Sequence, residues 1–268
     1  MRIALTLAYD GGVFDGWQTQ PSGNGVQDHL ERALAAIAAG PVATVCAGRT
    51  DAGVHALRQV VHFDTEAVRP LSAWVRGVNA HLPPQVAVRG AREVDAGFHA
   101  RYGARQRRYR YLIHCARVRH PLLAGRAGWT FRPLDAGRLR EAAAALVGEH
   151  DFSSFRSAEC QAASPVRRIE AIELAEQGPF LLLSFVGNAF LHHMIRNIVG
   201  TLLMIADGRR PVAWAAEVLA ARDRRLAAPT FAPAGLYLDA VRYDPQFGLD
   251  SWDDAAESGF AALLPAFG

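Results

Sequence analysis

The chain has 268 residues, half of them hydrophobic, enough to bury a full core in one large domain or two fused smaller ones, so disorder is excluded as its default state. Its longest apolar stretches, such as 180–186, fall far short of the roughly 20 residues that cross a bilayer. The first residues lack the basic, apolar and small-residue regions of a secretory signal, so a cytoplasmic protein without a membrane segment is expected.

The net charge of +3 understates how basic most of the chain is. Residues 244–268 carry Asp244, Asp250, Asp253, Asp254 and Glu257 and no base, which leaves 29 basic against 21 acidic residues in the remainder. All of the basic residues are Arg. A compositional bias toward Ala and Arg accounts for this without function, but Arg also grips phosphates through a bidentate fork and stacks on bases. Cys46, Cys115 and Cys160 are odd in number and form no CxxC pair, so neither a disulfide framework nor a zinc site is expected.

Residues 2–9 alternate into a strand that Asp10-Gly11-Gly12 breaks. Asn24 then reads as a helix N-cap, with Gln27 three residues on and Val26, Leu30, Leu34 and Ile37 at helical spacing until Gly40-Pro41. Strands follow at 44–47 and 59–64, a short helix at 72–80 and a strand at 86–94, closing a first half at residue 100. The second half, 101–245, carries strands at 107–115, 167–174, 180–186 and 235–243 and helices at 135–147, 190–206 and 213–221. Antiparallel strands mixed irregularly with helices indicate α+β rather than a doubly wound sheet. Residues 246–268 read as an acidic, poorly ordered appendage.

Three places can carry chemistry. The segment Ala47-Gly48-Arg49-Thr50-Asp51-Ala52-Gly53-Val54-His55 puts charged residues beside two glycines between strands, where backbone can approach a ligand, although an Asp in such a loop also serves simply to cap a turn. From Arg101 to Arg132 there are nine Arg, two His and no acid, interleaved with Tyr102, Tyr109 and Tyr111. Phosphate attraction with aromatic stacking is what an RNA surface requires, and a solvated basic strand edge with tyrosines packed inward is the alternative. Strand alternation places Arg107, Tyr109 and Tyr111 on one face and Arg108 and Arg110 on the other. In the helix from Phe190, Arg196 sits at the margin of an apolar stripe, as a functional cation or a snorkelling side chain. Gly200 costs that helix on the order of 1 kcal/mol against Ala, which suggests close approach of other backbone. His192 and His193 have no obvious third ligand, so no metal is expected.

Read together, the motifs resemble those of the tRNA pseudouridine synthase A family, in order from the first strand to Tyr243. They are Tyr9-Asp10-Gly11 with Phe14, Gly16-Trp17-Gln18 and Gln20; the Gly48-Arg49-Thr50-Asp51-Ala52-Gly53-Val54-His55 loop; Phe98-His99-Ala100-Arg101; and Arg108-Tyr109-Arg110-Tyr111. Then come Gly148-Glu149-His150-Asp151-Phe152-Ser153-Ser154-Phe155, Gly187-Asn188-Ala189-Phe190-Leu191 with Met194-Ile195-Arg196, and Ala232-Pro233 with Gly235-Leu236 and Leu238. The resemblance implies that Asp51 is the nucleophile, Arg49 helps hold the flipped nucleotide, Tyr109 stacks on the target base and Arg196 pairs with Asp51. It implies two ferredoxin-like α+β halves with joined sheets around a basic cleft, a homodimer, and a tRNA substrate modified at uridines 38 to 40 of the anticodon arm.

Isomerising uridine to pseudouridine gains and loses no atoms, so no cofactor is expected, in keeping with a chain that has no P-loop. A carboxylate suits the reaction because it can add to the sugar or the pyrimidine, or stabilise positive charge at C1′, and then leave.

Overall fold

The computed structural model describes residues 1–249, and they fall into two compact units: Met1–Arg107 with Tyr237 onward, and Arg108–Leu236. In the first unit β1 (Arg2–Tyr9) buries Ile3, Leu5, Leu7 and Tyr9 and leaves Arg2, Thr6 and Ala8 partly exposed, the period-two pattern of a strand with one face on a core. β1 lies antiparallel to both β3 (His55–Asp64) and β4 (Val86–Val94), and the short β2 (Val45–Cys46) also pairs with β3. Pairing of β1 with β3 slips register between Leu7 and Tyr9, a local irregularity of the kind that re-aims a strand end beside a site.

The final strand β10 (Leu236–Arg242) runs parallel to β3, with Tyr237 opposite His55. It thus counts with the first unit, whereas the sequence places it in the second half and the division at residue 100.

Helix α1 (Val26–Ala38) buries Val26, Leu30 and Leu34 as its periodicity predicts. Its cap differs from expectation. Gly25 is the N-cap, and Asp28 reaches back to accept from the Gly25 amide at 2.8 Å. Asn24 instead donates through its side chain to the Val13 carbonyl at 2.9 Å. The predicted short helix is a π turn, Ala73–Gly77, running into α2 (Val78–His81), and it buries Trp74 edge-on against Phe63 with centroids 5.2 Å apart.

In the second unit β5 (Gln106–Cys115), β9 (Phe180–Gly187), β8 (Val166–Gln177) and β7 (Gly148–Asp151) lie side by side in that order, with β6 (Gly128–Thr130) parallel to β5. β6 and β7 are too short, and β7 too polar, to show alternation in the sequence.

Helices α3 (Ala136–Ala144), α4 (Met194–Ala206) and α5 (Trp214–Ala221) pack together. α4 is buried along its length except at Arg196 and Met204, as a helix apolar nearly all round must be. It starts four residues after the predicted Phe190, because His193 at φ 62° closes the preceding loop in a left-handed conformation and serves as N-cap.

Of the acidic tail, Pro245–Phe247 forms a 3-10 turn with Phe247 edge-on to Phe98 at 5.1 Å, and residues 250–268 lie outside the described residues. Among the described residues no helix is long and apolar enough to cross a membrane.

Candidate active site

Asp51 rides on a loop between β2 and β3 whose backbone is fixed by the segment following β1. Thr50 is buried, Asp51 is half-buried and Arg49 is exposed. The Trp17 amide donates to the Thr50 carbonyl at 2.9 Å, and the Thr50 hydroxyl shares a hydrogen bond of 2.9 Å with the buried Tyr9 hydroxyl. Gln59, fully buried on β3, donates to the Gly48 carbonyl at 2.6 Å and to Tyr9 Oη at 3.3 Å, and accepts from the Gly48 amide at 3.4 Å. Within the loop the Val54 amide donates to the Asp51 carbonyl at 3.1 Å.

Two glycines make this clasp possible. A Cβ on Gly11 would lie 1.9 Å from the Val54 carbonyl oxygen. Gly16 stands at φ +100°, and its Cβ would lie 2.8 Å from the Thr50 carbonyl oxygen and 3.1 Å from the Ala52 nitrogen. An alanine at either position forces the Asp51 loop itself to move. The sequence pointed to Gly48 and Gly53 as the permissive residues, while the closest approaches belong to Gly11 and Gly16. The supporting roles of Tyr9 and Gln59 have no local signature in the loop motif itself. The signal for Gln59 was an uncharged polar side chain directly before the apolar run Val60-Val61 of β3.

Beneath the loop, the buried Arg107 donates to the carbonyls of Ala47 at 3.0 Å, Arg101 at 2.7 Å and Ala104 at 3.1 Å. One of the nine arginines of the basic segment is therefore committed to holding backbone. Cys46 next to the loop is buried, and burial pushes its thiol up to about 12, so it stays protonated and inert at neutral pH.

The Phe98-His99-Ala100-Arg101 motif packs on His62 of β3. The Ala100 amide donates to His62 Nδ1 at 3.1 Å, and the His62 ring lies edge-on to Phe98 and His99. Burial first, then the charge of Arg2 and the neighbouring His99, push His62 down to about 4 from 6.5. With the folded value below the unfolded one, the unfolded chain takes up the proton first. The stabilisation from neutral His62 is therefore full above pH 6.5 and is lost as pH falls toward about 4. Urea unfolding should show stability dropping through that window, with a shallower slope in His62→Gln; an unchanged slope would remove His62 as the cause.

In the second unit the predicted alternation along β5 holds: Tyr109 and Tyr111 are buried, and Arg108 and Arg110 are half-exposed. Tyr109 meets Phe190 edge to face, with centroids 5.3 Å apart. Tyr111 donates its hydroxyl to the Ala232 carbonyl, and burial drives its acidity far out of the working range, so it is a structural donor.

Arg196, partly exposed on α4, donates from Nε to the Phe231 carbonyl at 2.9 Å, while the Phe231 amide donates to the Arg196 carbonyl at 3.3 Å. The Nε bond orients the guanidinium, and the return bond from the Phe231 amide ties that segment to the helix backbone. The close approach expected at Gly200 is present: a Cβ there would lie 2.4 Å from the Pro229 carbonyl oxygen. Thus Arg49 and Asp51 share one loop of the first unit, and Tyr109 and Arg196 stand on β5 and α4 of the second.

The chain thus joins an α+β fold to a glycine-clasped Arg-Thr-Asp loop in one unit and an arginine hydrogen-bonded on a buried helix in the other. The family model described as tRNA pseudouridine synthase matches residues 6–103 and 142–244, and the chain belongs to that family, whose members convert uridine to pseudouridine in tRNA. It is 58% identical to the tRNA pseudouridine synthase A of Bordetella petrii over 258 residues, 96% of each chain. It is 59% identical to that of Methylibium petroleiphilum over 249 residues, covering 93% of this chain and 96% of the other. With the Paraburkholderia xenovorans protein of the same name it shares 55% identity over 248 residues, 92% of each.

Proposed function

We propose that this protein is a cytoplasmic, homodimeric enzyme that isomerises uridines 38, 39 and 40 in the anticodon stem-loop of tRNA, with Asp51 as nucleophile. The observation that carries the reading is the Asp51 loop. Hydrogen bonds from Tyr9, Trp17, Gln59 and Val54 and two glycine approaches hold it, so the carboxylate is presented on a preformed backbone rather than a mobile turn.

The reaction breaks the bond from ribose C1′ to N1 of uracil, turns the base and closes a bond from C1′ to C5. The C5 proton is then lost and N1 gains one, which balances atoms and electrons. Attack at C1′ and attack on the ring both begin from an ionised Asp51. In a site that excludes water, ionisation needs a neighbouring cation to offset desolvation, and Arg196 takes that role. Arg49 holds the flipped nucleotide. Tyr109 retains the detached uracil by stacking, worth about 1 to 3 kcal/mol by analogy with single-strand binders. Unstacking the uridine costs a few kcal/mol, which phosphate contacts from the remaining surface arginines supply.

Incubation with tRNA tritiated at uridine C5 tests the reaction class. Tritiated water should appear while the RNA chain gains no abasic site, and mapping should place the product at positions 38 to 40. Abasic sites would mean a glycosidic hydrolase instead.

A further inference from the structure

Next to Arg196 in α4, Asn197 is fully buried and ends in a polar network rather than an apolar contact. Its Nδ2 donates to the Phe155 carbonyl at 2.8 Å. Its Oδ1 accepts from Arg224 Nη2 at 3.0 Å and from the Thr230 hydroxyl at 2.7 Å. Arg224 also donates to the Ala228 carbonyl at 2.9 Å and to Thr230 Oγ1 at 3.1 Å. One turn further along, Thr201 donates to the Asn197 carbonyl at 3.0 Å and accepts from the Ala228 amide at 3.4 Å.

All of these bonds end on α4 or on residues 224–230, apart from the one to Phe155. The segment they tie down is the one whose next residue, Phe231, clasps Arg196 in both directions. Leucine at 197 and valine at 230 would satisfy burial alone. A hydrogen-bonded network does what apolar packing does not: it fixes one register of the segment against the helix. Sub-ångström register is what Arg196 needs, since its Nε bond transmits any shift of the Phe231 carbonyl to the plane of the guanidinium.

We infer that Asn197, Arg224 and Thr230 are positioning residues that hold segment 228–231 so that the Phe231 carbonyl aims Arg196 for catalysis. This rests on the reading of Arg196 as the counter-ion of Asp51. Thr230 is partly exposed, so Thr230→Val removes one hydroxyl at little risk to folding. It should lower single-turnover kcat about tenfold while the Kd for tRNA stays within about twofold, and Thr230→Ser should restore the parent rate. Arg224→Met, which cuts the network from its other end, should show the same split. In an Arg196→Lys background, Thr230→Val should cause no further loss, because the group it positions is already altered. Parent turnover in Thr230→Val and Arg224→Met, with Arg196→Ala slow, would overturn the inference and leave the role of Arg196 standing. So would losses that add fully to those of Arg196→Lys. Parent turnover in Arg196→Ala would remove both.

Discussion

Replacing Arg196 with alanine should cut turnover by about 10²- to 10³-fold, the usual loss when a preorganised electrostatic partner is deleted, while tRNA still binds. The guanidinium is one charge among 29 basic residues, so its share of the overall attraction to phosphate is small. Its orientation is not replaceable: Nε is held by the Phe231 carbonyl at 2.9 Å, and the helix that bears it is immobilised by burial on nearly every side. Arg196→Lys keeps the charge but loses the planar fork and the bond to Phe231, so it should recover only part of the loss. Single-turnover kinetics at saturating tRNA measure this directly, and a parent rate in Arg196→Ala would exclude Arg196 from the mechanism.

The second large effect is expected at Asp51. Asn has the same shape, and the hydrogen bonds by which Tyr9, Trp17 and Gln59 hold the loop end on Thr50 and Gly48, so the substitution does not touch them. Folding and tRNA affinity should therefore be retained, whereas the amide cannot act as an anionic nucleophile. Loss of a nucleophile costs about 10⁴-fold or more where it has been isolated from binding. Loss of affinity in step with loss of rate would instead mark Asp51 as a binding residue.

Much of the fold was legible because period-two and period-3.6 burial is strong where elements are long. β1, β4 and β5 lie where the alternation puts them, and α1 buries Val26, Leu30 and Leu34. What the sequence hid was chemistry shared between distant segments. Asn24 looked like the cap of α1, yet Asp28 supplies the capping bond from inside the helix. The helix at Phe190 starts late because His193 takes a positive φ, which no periodicity announces. β10 returns to β3 of the first unit across most of the chain's length, a pairing with no local signature.

The site was legible in a similar measure. Asp51 and its flanking residues stood out as a motif, and Gly200 beside Arg196 signalled the backbone that now proves to be Pro229. The sequence offers the basic segment 101–132 as an RNA surface or a solvated strand edge, and neither describes Arg107, whose buried guanidinium donates to the carbonyls of Ala47, Arg101 and Ala104, because charge alone does not tell a strut from a phosphate grip. Tyr9 and Gln59 escaped because a buried polar residue acquires meaning only when its partners are known.

Whether a single ionised side chain starts the reaction is decided most directly by mixing excess Asp51→Asn protein with tRNA tritiated at uridine C5 and following solvent radioactivity through one turnover, with binding checked in the same samples. A bound complex that releases no label above enzyme-free tRNA is the predicted result; release at the parent rate would contradict it.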